Sequence, residues 1–380
     1  MRRRALAAAV ALAAVGQAAC GDREAIRGGG VTIGPALTVY SALPGPGRGS
    51  SRDIADGEKL ALAEAQGRVG RYTISFSSLD QGGAGAAGRR AAGGQAARAA
   101  VADAQAAAVI GTLDSDAARA AIPLLNAAGL LHVSLAAGYP GFTGRYARDE
   151  PQRWFPAGGR TFARLVGDDR AQARALVRAA GTPRIAVEAE GGQDAAALAS
   201  EVRRAAAAAG AKVVRRPGRD GAVIYAGEDP RAAARLAGGV ARESPGARVV
   251  LPDAVVRAGV KRRLGPRAAR RAVFVSSAPE PGSTPALRHF EAAFERTFGR
   301  RPGPYAALGH AAMETVLDAL RSAAADGRAG DRRAVLRGYF APGARQTVAG
   351  PISLDPPGQV APARFTTFRL ERGRRVDLPG

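Results

Sequence analysis

The chain has 380 residues and a formal net charge of +22, carried almost entirely by arginine, because only Lys59, Lys212 and Lys261 are lysines. That length exceeds one typical domain and suits two lobes, each large enough to bury a core. Aromatic residues make up 5% of the chain, too few for the stacking surface of a nucleic-acid binder, and a lone cysteine excludes an internal disulfide. The abundance of alanine, glycine and arginine reads as compositional bias rather than as a functional signal, although a basic surface favours anionic lipid or wall polymers.

At the N-terminus Arg2-Arg3-Arg4 precede an apolar run, Ala5 to Val15, that is too short for a transmembrane span and ends in Gln17-Ala18-Ala19-Cys20. This resembles a bacterial lipoprotein signal over residues 1–20, which implies that Cys20 becomes a lipidated N-terminus anchoring the protein outside the cytoplasm. Gln17 departs from that pattern, where leucine is usual. An ordinary secretory signal and an incidental buried thiol are the alternatives. Residues 21–35 follow as a polar, glycine-rich tether.

Leu37–Leu43 reads as a strand, and a helix follows with Ile54, Leu60, Leu62 and Ala63 on its apolar face. Tyr72–Leu79 alternates as a second strand. Next, Gly83-Ala84-Gly85-Ala86-Ala87-Gly88 matches G-x-G-x-x-G, but Asp103 precedes the following strand instead of ending it, so a flexible loop is expected rather than a dinucleotide site.

The most informative stretch runs from Ala108 to Thr143. Ala108–Gly111 is a short buried strand, and Ala118, Ile122, Leu125 and Ala128 fall at helical spacing behind Thr112-Leu113-Asp114-Ser115. Gly129 closes that helix, Leu130–Val133 is another strand, and Ser134 to Gly138 is a loop of small residues. Both loops then lie at the carboxyl edge of one parallel sheet, where open α/β sheets bind ligands. Ser115 is expected to cap its helix, so that its hydroxyl and the free N–H groups of the first turn suit a carboxylate. Read structurally, Ser115 only caps its own helix.

Further on, Arg160–Val166 is a strand, Gln172–Ala179 a helix, Arg184–Glu188 a strand and Asp194–Ala209 an alanine-rich helix. The strands Ala222–Ala226 and Arg248–Leu251 end at Gly227-Glu228-Asp229-Pro230 and Pro252-Asp253-Ala254. The carboxyl-edge rule turns both loops toward the cleft. Asp253 and Glu228 are therefore candidate cleft acids; the alternative for each is a solvated carboxylate or an arginine partner. Ala272–Ser276 is a strand, and Pro285–Phe298 an amphipathic helix with Leu287, Phe290, Phe294 and Phe298 inward.

Taken in order, these segments resemble the type I periplasmic-binding-protein fold, specifically the substrate-binding lipoproteins of branched-chain amino acid and amide ABC transporters. The resemblance spans about residues 35 to 375 and rests on the 111–115 and 134–138 loops, the Pro252-Asp253-Ala254 step, the Arg288 to Leu320 segment and Gly350-Pro351-Ile352-Ser353-Leu354-Asp355. It implies an α/β chain of two Rossmann-like lobes with parallel central sheets and a three-strand hinge, lobe 1 being 36–167 plus 279–344 and lobe 2 being 168–278 plus 345–380. It also implies that Ser115 holds a ligand carboxylate, that Ala136, Ala137 and Gly138 line the pocket, and that Asp253, with Glu228 as a second acid, meets the ligand ammonium. Leu135 stands where proline is usual, Gly138 where threonine is usual, and Ala189-Glu190-Gly191-Gly192-Gln193 replaces a tyrosine-glycine step. His310 replaces a tyrosine, and a packing role is expected for it.

The expected function is capture of a small polar ligand, an amino acid or related amide, for an ABC permease, with the membrane reached through the lipid anchor and no nucleic acid involved. A ligand-sensing or accessory lipoprotein is the alternative, since the fold also serves receptors. No G-x-S-x-G occurs, and His132, His289 and His310 fall in a strand and two helices, so no hydrolase is expected. Neither a cofactor nor a metal site is expected.

Overall fold

The computed structural model describes residues 35–378; the expected signal segment and Cys20 lie outside the described residues. The first lobe comprises β1 (Ala36–Leu43), α1 (Gly49–Glu64), β2 (Arg68–Val69), β3 (Tyr72–Asp80), α2 (Gly85–Ala102), β4 (Ala106–Gly111), α3 (Ser115–Ala127), β5 (Leu131–Ser134) and β6 (Phe162–Arg164). Its sheet has the order β2-β3-β1-β4-β5-β6 and is parallel except at β2–β3. Strand β4, Ala-Ala-Ala-Val-Ile-Gly, is buried at every position, as a strand covered by helices on both faces must be. The glycines of 83–88, expected in a loop, instead open α2 from Gly85. The reason is close packing of its entry: a Cβ at Gly83 would lie 2.3 Å from the Gly88 carbonyl.

The chain then crosses to the second lobe, with α4 (Asp169–Ala180), β7 (Arg184–Ala189), α5 (Gln193–Ala208), β8 (Lys212–Val213), β9 (Ala222–Ala226), α6 (Pro230–Glu243), β10 (Arg248–Leu251), α7 (Asp253–Arg257), α8 (Pro266–Ala269) and β11 (Ala272–Ser276). It returns to cover the first sheet with α9 (Pro285–Phe298), α10 (Ala306–Ala325) and α11 (Arg332–Tyr339). A hairpin of β12 (Arg345–Thr347) and β13 (Gly350–Ile352) precedes the third crossing to β14 (Thr366–Glu371) and β15 (Arg374–Leu378). The second sheet has the order β15-β14-β11-β10-β9-β7-β8. The 345–380 segment is thus divided: Ile352 and Val360 pack in the first lobe's core, and the chain pairs with β11 only from Thr366.

Each lobe has its own core. In the first, Leu37, Val39, Ile110 and Val133 of the sheet meet Leu317 and Leu320 of α10. Helices α1 and α10 cross so closely that a Cβ at Gly57 would lie 2.1 Å from the Ala306 carbonyl oxygen, and one at Gly309 would lie 2.2 Å from that of Ile54. In the second lobe Leu176, Leu198 and Val202 cover one face of the sheet, and Val255, Val260 and Ala268 the other. Loops after β4, β5, β7, β9 and β10 meet in the cleft between the lobes, the carboxyl-edge placement that a parallel sheet dictates.

Candidate functional site

On the first lobe two loops are locked to each other before they present anything to the cleft. Thr112 adopts φ +52°, a left-handed conformation that costs a threonine roughly 1–3 kcal/mol. Its hydroxyl donates to Ser134 Oγ at 3.2 Å, and the Ser134 hydroxyl donates to the Thr112 carbonyl at 2.9 Å. Ser134 Oγ also accepts the Ala137 N–H at 3.1 Å. Beneath them Arg164, fully buried, donates to the Ala137 and Tyr139 carbonyls at 2.8 Å each and to Gln359 Oε1 at 2.7 Å. The small-residue loop is therefore held by a charged group that also grips the third crossing.

The expected cap at Ser115 is corrected. Asp114 is the N-cap of α3, its Oδ1 accepting the Ala117 N–H at 2.8 Å, and Ser115 is the first helical residue, its Oγ accepting the Tyr139 N–H at 3.1 Å. Aspartate and serine are comparable N-caps, and the chain's course out of β4 puts Asp114, at φ −147° and ψ 158°, in the extended position before the first helical residue. With Asp116 also in the first turn, that end of α3 already carries two acids.

Ser115, Ala136 and Gly138 line one side of a cavity of about 40 Å³; Asp169, Asp194, Glu228, Asp253 and Arg257 are on the other. Ala137 is buried beneath it, its carbonyl taken by Arg164. Asp253 reaches the cavity with its carboxylate already engaged. Its Oδ1 accepts from the Ser277 N–H at 2.7 Å, the Ser277 hydroxyl at 3.0 Å and the Tyr305 hydroxyl at 2.7 Å, while Oδ2 meets Arg257 Nη1 at 2.7 Å. Tyr305 belongs to the first lobe's core, so Asp253 ties the lobes together.

Glu228 is aimed by Glu190, from the segment that stands in place of a tyrosine-glycine step. Glu190 Oε2 accepts the N–H groups of Glu228 and Asp229 at 2.8 and 2.9 Å and the Tyr225 hydroxyl at 2.5 Å. Burial first, then the hydrogen bond to Glu190, holds the Tyr225 hydroxyl far above its usual range. Arg89 stands across the cleft from Glu228 at 3.5 Å and also meets Asp116 and Asp114, at 2.8 and 3.4 Å. Arg119 of α3 forms a two-pronged pair with Asp194 of α5, at 3.0 and 2.5 Å. Arg257 Nη2 donates to the Leu113 carbonyl at 2.8 Å. Together these contacts bring the lobes face to face.

Sequence reasoning did not single out Asp169, Asp194, Arg89, Arg119 or Arg257. The i, i+4 spacing of Asp253 and Arg257 is a helical ion-pair signal. Consecutive Asp168 and Asp169 at a helix start were another: Asp168 caps α4 by accepting the Ala171 N–H at 3.0 Å, which leaves Asp169 for other use. Asp169 also accounts for Gly138, since a Cβ there would lie 2.2 Å from Asp169 Oδ1. His132 and His310 are both buried; burial pushes His132 down to about 3, so it stays neutral in its strand.

The sequence matches no family model and no curated protein. In structure, the chain is similar to an ABC transporter substrate-binding protein from Desulfitobacterium hafniense in complex with Leu, at 20% identity and TM-score 0.74, over 90% of this chain and 100% of that one. It is similar to a leucine-binding protein from Thermotoga maritima at 18% identity and TM-score 0.73, over 90% and 98% of the two chains. A solute-binding protein from R. palustris in complex with benzoate is similar at 18% identity and TM-score 0.70, over 90% and 95%. With its two mainly parallel sheets and three crossings, the chain has the type I periplasmic-binding-protein fold.

Proposed function

We propose that this protein is an extracytoplasmic solute-binding protein, anchored through Cys20, that captures a small polar solute between its lobes and delivers it to an ABC permease. The solute class is an amino acid or related amide. One observation carries the reading: side chains from both lobes converge on a single cavity, and the lobes bond to each other around it. A ligand that contacts both lobes stabilises the closed arrangement by its differential affinity for it, which is how hinge proteins couple binding to shape. The structurally similar proteins support it, since their names describe ABC transport and complexes with Leu and benzoate. The anchor is supported by the basic, apolar and small-residue order of residues 2–20.

The test is a thermal-shift screen of the purified protein against amino acids, amides, amines, aromatic acids and sugars. A solute at about a hundred times its Kd is expected to stabilise by about 2.7 kcal/mol. If no class shifts the transition, solute capture is wrong.

A further inference from the structure

We propose that the cleft takes its solute ammonium end first, with the ammonium held between Asp169 and Glu228 at the inner end and the remainder, any anionic group included, lying outward beneath Arg48 and Arg262. This rests on the solute-binding reading but departs from its solute class, replacing an α-amino acid or amide with a primary monoamine that carries no carboxylate beside the nitrogen.

Charge at the inner end points that way. Arg119 is taken by Asp194, Arg257 by Asp253, and Arg89 is shared among Asp114, Asp116 and Glu228. Asp169 is only 7% exposed and lines the cavity. Its Oδ1 receives one long hydrogen bond, from the Gln172 amide at 3.4 Å, and its Oδ2 has no hydrogen-bond or ion-pair partner among the described residues. That oxygen opens on the cavity, where an incoming ammonium supplies three donors and a positive charge. A solute carboxylate in the same place would meet Asp169, Glu228, Asp194 and Asp114, and is repelled as Asp169 and Glu228 ionise, with the dipole of α3 already answered by Asp114 and Asp116.

Size and the way out agree. The cavity, about 40 Å³, is small, with room at its inner end for a compact group such as an ammonium. Glu228, Ala254 and Arg257 also line a neighbouring groove of about 580 Å³, together with Arg48, Lys261 and Arg262. Of its three acids, Asp53 is held by Arg300 at 2.7 Å, and Asp114 and Glu228 by Arg89 at 3.4 and 3.5 Å. That groove repels the second charge of a diamine and suits a remote anion.

The pH dependence follows from the groups facing each carboxyl. Burial, aided by Asp194, Asp168 and Glu228 and opposed by Arg164, pushes Asp169 up to about 8. Burial, with Asp114 and Asp194 against Arg89 and Arg257, pushes Glu228 up to about 7. An ammonium favours both ionised forms, so binding releases protons and tightens as pH rises through this range.

Calorimetric titration of the protein with butylamine, 4-aminobutyrate, 2-aminobutyrate and butyrate, at about pH 8.5 and about pH 6, tests this. Butylamine and 4-aminobutyrate are expected to bind at the higher pH, at least about tenfold tighter than at the lower, with 2-aminobutyrate at least about tenfold weaker and butyrate silent. Asp169→Asn and Glu228→Gln are each expected to weaken amine binding about tenfold or more while the thermal transition is kept. Butyrate binding as well as butylamine, equal affinity for the two aminobutyrates, or no dependence on pH would overturn the proposal. Binding of none of the four overturns it too, and the wider solute screen then decides whether solute capture falls with it.

Discussion

Arg119 on the first lobe and Asp194 on the second face each other squarely, Nη1 meeting Oδ2 at 3.0 Å and Nη2 meeting Oδ1 at 2.5 Å. The side chains are 9% and 15% exposed, so water screens the pair poorly, and Arg119 also stacks over the Tyr139 ring at 4.6 Å. Desolvation works to lower the Arg119 pKa, but the pairing with Asp194 outweighs it and raises it. Such a pair is a latch on the closed arrangement: either partner left alone is a poorly solvated charge, which favours separation of the lobes.

Arg119→Met and Asp194→Leu are each expected to enlarge the radius of gyration in small-angle scattering, and the double variant to recover part of the compact form. A double-mutant cycle on thermal stability should give a coupling of about 1–3 kcal/mol. Additive effects would show that the pair does not hold the lobes.

Gly138 and Asp169 make a steric prediction. No positive φ is needed at 138, so the glycine serves space alone: a Cβ would sit 2.2 Å from Asp169 Oδ1. The Asp169 carboxylate has little freedom to retreat, being buried at the first turn of α4 with its N–H bonded to the Gly138 carbonyl at 2.9 Å. Gly138→Ala is expected to destabilise by about 1–3 kcal/mol through overpacking. Asp169→Ala combined with it should restore most of the loss, measured by urea midpoint, because the colliding atoms are gone.

The strand–helix alternation was legible because apolar runs such as Ala222–Ala226 are bounded by turn residues, and the parallel topology then fixes which loops share an edge. Hence Ser115, Ala136, Gly138, Glu228 and Asp253 could be named as neighbours from sequence positions far apart. What those side chains do was less legible. Asp114 and Ser115 both suit an N-cap, and the choice depends on where β4 stops. The saturation of Asp253 comes from Ser277 and Tyr305, 24 and 52 residues away, and Arg119 meets Asp194 across 75 residues. Contacts between lobes leave no periodic trace in either partner's local sequence.

Glu58 gives a stability prediction. It lies on α1 with no exposure, its two carboxylate oxygens have no hydrogen-bond partner among the described residues, and burial, against the weaker pull of Ser41 and Lys59, pushes it up to about 8. The folded protein thus keeps a proton there that the unfolded chain releases near 4.5. Stability is expected to fall as pH rises between those values, at up to about 1.4 kcal/mol per pH unit. Glu58→Gln should leave stability at about pH 4.5 nearly unchanged and raise it increasingly toward about pH 8. Asp169 and Glu228 titrate in the same direction, so the wild-type-minus-variant difference in urea midpoint is the quantity to follow; a flat difference would mean that Glu58 is ionised in the fold.

His310 should show the opposite dependence. Burial works to lower its pKa, but hydrogen bonds and charge from Glu314 and Glu64 outweigh that and raise it to about 9, with Glu64 Oε2 at 2.9 Å from Nε2 and Glu314 Oε2 at 3.3 Å from Nδ1. A histidine with a raised folded pKa contributes stability that is complete below the unfolded value of 6.5 and is lost as pH climbs through about 9. The two carboxylates are 44% and 29% exposed, so solvent screening limits the effect to about 1 kcal/mol. His310→Gln also gives up the edge-on contact with Phe290 at 5.2 Å, but that loss does not depend on pH and cancels in a comparison. Its destabilisation in urea is therefore expected to be larger at about pH 6.5 than at about pH 9.5, by about 1 kcal/mol. Equal losses at both values would show that the imidazole is neutral between its two acids.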